Sequence, residues 1–142
     1  PICSYKYARL RERGYKSVIH LRDLDYQAVE YASDLSSGAG MAAMQNLLKD
    51  NPPDAVFAVS DTLAAGALRA IQQAGLRVPE DIAVVGFDGT ELADMISLTT
   101  IEQPSRDIGR KAVDLLLNKI DNPDAPTERV MMDWRFISRA ST

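Results

Sequence analysis

Ala55-Val-Phe-Ala-Val-Ser-Asp61 and Ile82-Ala-Val-Val-Gly-Phe-Asp88 decide the fold. Each is an unbroken apolar run of strand length that closes on a carboxylate, and a run apolar on both faces suits a strand covered on both sides. Between them Leu63, Ala67, Leu68 and Ile71 recur at helical spacing until Gly75 ends the helix. Ser60 and Asp61 offer that helix cap oxygens. Strand, helix and strand in this order make a parallel pair, since the chain must cross back over the sheet before pairing again.

The same alternation continues outward. Val78-Pro-Glu-Asp81 leads into the second run and Asp88-Gly-Thr90 leaves it, both with turn composition. Residues 98–102 form a further extended segment. Gln103-Pro-Ser105 then opens a helix over residues 105–120, with Ile108, Ala112, Leu115, Leu116 and Ile120 on one stripe. In the tail, residues 129–132 and 134–137 alternate enough to read as strand. Upstream, residues 7–22 read as a helix rich in Arg, Lys and Leu, and residues 28–32 as a short strand. Asp34 and Ser36 are placed to cap a helix carrying Met41, Met44, Leu47 and Leu48, which Asn51-Pro-Pro53 stops. The fold class is α/β, a parallel sheet with flanking helices, without internal repeat or low-complexity block.

Composition narrows the function. A chain of 142 residues supports one hydrophobic core. Its longest apolar runs fall far short of the roughly 20 residues that span a bilayer, and no basic segment followed by an apolar one opens the N-terminus, so no membrane or export signal is visible. Cys3 has no second cysteine to pair with, and Cys3 with His20 cannot assemble a metal site. A reducing cytoplasm is the simpler location. A net charge of −4 argues against binding the phosphate backbone, so DNA contact would need another segment.

In an open parallel sheet, ligands bind beyond the carboxyl ends of the strands. Those ends carry Asp34, Ser60 with Asp61, Asp88, and Gln103. Carboxylates and amides converging there suit a sugar or nucleoside, because each oxygen accepts from ligand hydroxyls. The plainer alternatives stand beside this: Asp34 and Asp61 as helix caps, Asp88 as half of an Asp-Gly turn. Arg11 shares its helix with Arg9, Arg13, Lys16 and Arg22, most of which make a solvated face. Catalysis finds no support, since there is no phosphate loop, no His-Glu metal motif and no activated cysteine. Gly38-Ala-Gly40 reads instead as close packing of helix on sheet, and no cofactor is expected. The pair Asp61 and Asp88 has nothing in sequence that drives the two pKa values apart.

Val78-Pro-Glu-Asp-Ile-Ala-Val-Val-Gly-Phe-Asp88 with Ser60-Asp-Thr-Leu-Ala-Ala-Gly-Ala-Leu68, Leu98-Thr-Thr-Ile-Glu-Gln-Pro104 and Ile108-Gly-Arg-Lys-Ala112 closely resembles the lactose/galactose-repressor (LacI/GalR) family in order and spacing. Arg9-Leu-Arg-Glu-Arg-Gly-Tyr15, Asp34-Leu-Ser-Ser-Gly38 and Met44-Gln45 extend the likeness over nearly the whole chain. The resemblance implies a periplasmic-binding-protein-like fold, in which two α/β subdomains close on a small-molecule effector, and mostly one of the two subdomains here. Residues 1–103 would be the C-terminal subdomain without its first strand, residues 104–132 a helix and strand of the N-terminal subdomain, and residues 133–142 a tail returning to the C-terminal one. It places Arg11 on effector oxygens and Asp88 on sugar hydroxyls or a base. Ser60 stands where many members have Asn, Leu35 where an aromatic often stacks on the ligand, and Gln103 at the crossover between subdomains. Tyr5 and Tyr7 fall in a segment that lines the cleft in some members.

A transcription regulator, usually a repressor, is implied, acting as a homodimer and touching operator DNA only through a helix-turn-helix outside this chain. Its members respond to effector by a shift in the relative arrangement of the subdomains. An exported sugar-binding protein feeding a transporter is the alternative, and a helix-turn-helix or a signal peptide in the intact gene separates the two.

Overall fold

The computed structural model describes residues 5–24, 28–49 and 51–142. Cys3, and the readings attached to it, lie outside these. Along the chain run α1 (Lys6–Leu21), α2 (Ser37–Leu47), β1 (Ala55–Phe57), α3 (Asp61–Gln73), β2 (Ala83–Asp88), α4 (Glu91–Met95), β3 (Thr99–Glu102), α5 (Ser105–Asp121) and β4 (Arg135–Ile137). The sheet order is β1-β2-β3-β4. β1, β2 and β3 are parallel, with Phe57 beside Val85 and Asp88 beside Glu102. β4 returns antiparallel, pairing Glu102 with Arg135. The α/β class with a parallel-dominant sheet is the one the apolar runs imply.

The core lies where α2 and α3 cover the sheet, around Met44, Ala64, Ala67, Ile71, Ile82, Val84, Ala93 and Leu98. Glycines let α2 and α3 cross closely. A Cβ on Gly40 would run into Leu63, and one on Gly66 into Ser37 and Met41 of the facing helix. Gly40 therefore serves helix against helix, not helix against sheet as the sequence suggests. Gly75, with φ +77°, supplies the left-handed residue after the last turn of α3. The tail is anchored by Ser141, whose hydroxyl donates to the Val84 carbonyl at 2.7 Å and accepts from the Thr99 amide at 2.8 Å. Asp81 braces the entry to β2, receiving the Arg77 guanidinium at 3.0 and 2.9 Å and the Arg77 amide at 2.8 Å.

Two segments that read as strand are not strand in the structure. Residues 28–32 and 129–132 carry no ladder, because β propensity needs a partner edge and neither segment lies against one among the described residues. Residues 28–32 instead flank a groove of about 700 Å³, bounded also by α1, α2 and β1, which ends the sheet. Tyr31 ties this segment to α1 through a 2.9 Å bond to Glu12. α5 has no buried residue: Val113, Leu116, Leu117 and Ile120 are all more than half exposed. Among the described residues no helix is long and apolar enough to cross a membrane.

Candidate effector site

The site is built at the carboxyl ends of β2 and β3. A cleft of about 420 Å³ is lined by Tyr7 and Arg11 of α1, Leu35, Ser60 and Thr62 at the start of α3, Asp88 at the end of β2, and Gln103 just past β3. Parallel topology brings the β2 and β3 ends together, since Asp88 and Glu102 are register partners.

Arg11 is the best anchored side chain of the set. Its guanidinium lies 3.5 Å from the centre of the Phe87 ring and 5.0 Å from that of Tyr7, donates to the Val59 carbonyl, and reaches Asp88 Oδ1 at 3.3 Å. A planar cation stacked on aromatic faces and forked between two acceptors is pre-organised, so little side-chain entropy remains to be lost on binding. Its neighbours Arg9 and Arg13 do not line the cleft, and in sequence nothing but the resemblance sets Arg11 apart from them. Tyr7 stacks on Tyr5 with ring centres 5.6 Å apart.

Asp88 receives Gln103 Nε2 at 2.8 Å on the same Oδ1 that faces Arg11. Among the described residues no donor is bonded to Oδ2. Burial pushes the Asp88 carboxyl above the usual carboxylate range; the Arg11 charge pulls it back, and the charge of Asp61 adds to the rise. Its backbone has φ 113°, a conformation L-residues rarely adopt. Gln103 also donates its backbone amide to the Asp88 carbonyl at 3.3 Å, so the end of β2 and the exit toward α5 are tied twice.

Of the residues singled out in the sequence, Tyr7, Arg11, Leu35, Ser60, Asp88 and Gln103 line the cleft, and Tyr5, Asp34 and Asp61 do not. Ser60 is the cap of α3, accepting from the Leu63 amide at 3.3 Å, and it is buried. Asp61 is turned inward and fully buried, with its oxygens on Thr90 and Thr100, so it is neither a cap nor a cleft residue. Asp34 stays at the surface, bonded to the Ser36 amide and the Ser33 hydroxyl. Ser36 caps α2 through the Ala39 amide. Thr62 in the first turn of α3 also lines the cleft, and no pattern in the sequence marks it. Among the described residues no group of three His, Cys, Asp or Glu side chains is placed to hold a metal.

Fold and cleft together define an α/β domain with a cleft at the carboxyl ends of its parallel strands. Residues 2–142 match the periplasmic binding protein-like domain, and the chain belongs to that family. Its relatives there are LacI-type regulators, as the resemblance implies. The ribose operon repressor of Escherichia coli strain K12 is 37% identical over 139 residues, which cover 94% of this chain and 42% of the repressor. A LacI family transcriptional regulator from Enterococcus faecium, solved with bound ribose, is 32% identical with a TM-score of 0.85, over 93% of this chain and 50% of that one. An uncharacterized protein from Actinobacillus succinogenes superposes with a TM-score of 0.92 at 44% identity, over 99% of this chain and 53% of the other. The chain thus spans about half the length of the proteins it matches.

Proposed function

We propose that this chain is the effector-sensing region of a LacI-type transcription regulator, most simply a repressor. It takes a small polyhydroxylated ligand, a sugar or nucleoside, between Arg11, Asp88 and Gln103. The observation that carries the reading is the Asp88 carboxylate, held on Oδ1 by Arg11 and Gln103 at 3.3 and 2.8 Å with Oδ2 unbonded among the described residues. A fixed acceptor beside a fixed guanidinium and amide matches the alternating donors and acceptors of adjacent hydroxyls. Tyr7 and Leu35 supply the apolar wall, and Leu35, unlike an aromatic, gives a sugar ring contact without stacking. Ser60 and Thr62 add hydroxyl-bearing side chains to the lining.

Gln103 gives the site a physical route to a response. It contacts Asp88 through both backbone and side chain and lies two residues before α5, whose apolar stripe is left uncovered by the described residues. A ligand that competes for Asp88 changes the exit direction of the chain, and occupancy then biases the placement of whatever α5 packs on. In this reading residues 1–103 form the C-terminal subdomain, and residues 104–132 belong to the N-terminal one. The tail over residues 133–142 comes back through β4. The groove flanked by residues 28–32 lies beside β1, the last strand of the sheet among the described residues. The regulator is cytoplasmic, works as a homodimer and touches operator DNA through segments beyond these residues. Asp61, with both oxygens committed to threonines, is not available for acid and base work with Asp88, which favours binding over turnover.

The test is a thermal-shift screen of the full-length gene product against pentoses, disaccharides and nucleosides. One class should raise the melting temperature with saturable dose dependence, and the same ligand should alter retention of operator DNA. A screen in which none of the three classes shifts the protein contradicts the reading.

A further inference from the structure

Among the described residues, Asp61 is the one buried carboxylate that the effector chemistry above does not use. Its side chain is wholly inaccessible, although a buried charge is costly unless donors surround it. Three donors do. Oδ2 accepts from the Thr90 amide at 2.7 Å and the Thr90 hydroxyl at 2.9 Å, and Oδ1 accepts from the Thr100 hydroxyl at 2.6 Å. β2 makes room for this arrangement with Gly86, where a Cβ would lie 2.5 Å from Asp61 Oδ1. One side chain at the start of α3 thereby grips both the turn that leaves β2 and the strand beside it.

That turn begins with Asp88. Its backbone, at φ 113°, is followed by Gly89 at φ +71°, so residues 88–89 depart from extended geometry just where Asp88 must aim at Arg11 and Gln103. Thr90 heads α4 without capping it with its hydroxyl, because that hydroxyl is spent on Asp61. The turn is therefore fastened at Thr90 from behind and at Asp88 from the front.

We infer that Asp61 is a positioning residue of the effector site: through Thr90 it holds the 88–90 turn in the conformation that sets Asp88 Oδ1 on Arg11 and Gln103 and leaves Oδ2 for the ligand. This rests on the reading of the cleft as the effector site. Asp61 itself touches no ligand.

The experiment is calorimetry on the full-length gene product with ribose, lactose and cellobiose, comparing Asp61→Ala, Asp61→Asn, Thr90→Val and Asp88→Ala. Asp61→Ala weakens binding of the recognised sugar about tenfold or more, and Thr90→Val, at an exposed position that keeps the side-chain shape, weakens it about threefold to tenfold. Asp61→Asn restores affinity to within about threefold, because its carbonyl still accepts from Thr90 while its amide donates to a rotated Thr100 hydroxyl. In an Asp88→Ala background, Asp61→Ala and Thr90→Val each change affinity less than about twofold, the signature of acting through Asp88. Equal losses in both backgrounds, or wild-type affinity in Thr90→Val, overturn the inference and leave the site standing. Unchanged affinity in Asp88→Ala, or an unsubstituted protein that binds neither these sugars nor a nucleoside, overturns the reading beneath it.

Discussion

Replacing Asp88 by Asn separates what the carboxylate does for a ligand from what it does for the fold. Arg11 and Gln103 both donate to Oδ1, at 3.3 and 2.8 Å. They hold the Asn carbonyl on their side, and its NH2 takes the place of Oδ2. The cleft then presents a donor where an acceptor stood. A ligand giving two hydroxyls to Oδ2 loses two charge-assisted bonds of about 1.5–3 kcal/mol each and regains part as the hydroxyls turn to accept. A net loss of about 2–4 kcal/mol is about 30- to 1,000-fold in Kd. The fold responds with the opposite sign. Burial raises the Asp88 pKa against the pull of Arg11, so its contribution to stability is full below the ordinary carboxylate value and is lost as pH rises through the raised one. At neutral pH the ionised form is a net cost, kept small because the side chain is 34% exposed. Arg11 keeps the Val59 carbonyl and the Phe87 face, and Asn tolerates the positive φ as well as Asp does. The unliganded variant should melt at or above the temperature of the parent. Thermal melts at pH 7 without ligand and calorimetry with the recognised sugar measure both. A variant that melts more than about 3 °C lower, or whose Kd stays within about threefold, refutes the reasoning.

Ser141→Ala removes the hydroxyl that joins the Val84 carbonyl to the Thr99 amide. It strands a buried acceptor and a buried donor at a cost of about 2–4 kcal/mol, read as a lower urea midpoint, and an unchanged midpoint means the tail is not an anchor. Asp81 is held down to about 2 by the Arg77 side chain and amide. Its contribution to stability is present above the ordinary 3.8 and is lost as pH falls toward about 2. Melting temperature followed from pH 5 downward should fall less steeply in Asp81→Ala than in the parent, and parallel curves contradict the assignment.

What could be read in advance follows from which interactions are local. The runs at residues 55–59 and 82–87 announce themselves because a strand buried on both faces is apolar without a period. The sheet carries them only over Ala55–Phe57 and Ala83–Asp88, since a strand lasts as long as its partners do. Residues 28–32 and 129–132 show the same limit more sharply: propensity is local, and pairing belongs to a neighbour. α4, at five residues, is too short to display a helical period. The site was legible to the extent that topology makes it, because Ser60, Asp88 and Gln103 fall at strand ends by connectivity alone. Arg11 was legible only by resemblance. Its distinction from Arg9 and Arg13 is the Phe87 ring beneath it and the Val59 carbonyl beside it, both about fifty residues or more away in sequence.

Ser60 and Asp61 mark where residue chemistry alone stops deciding. Both are good capping residues in adjacent positions, and local preference does not choose between them. The sheet chooses: at residue 61 the side chain meets Thr90 and Thr100 rather than a free helix amide. One trace of this does survive in the sequence. Gly86 interrupts an otherwise β-branched and apolar run, and a glycine inside a buried strand signals that something approaches its backbone closely. What approaches is the Asp61 carboxylate. The glycine of the second run and the aspartate ending the first are thus one feature written in two places, joining the two strands that define the fold at the point where they present Asp88.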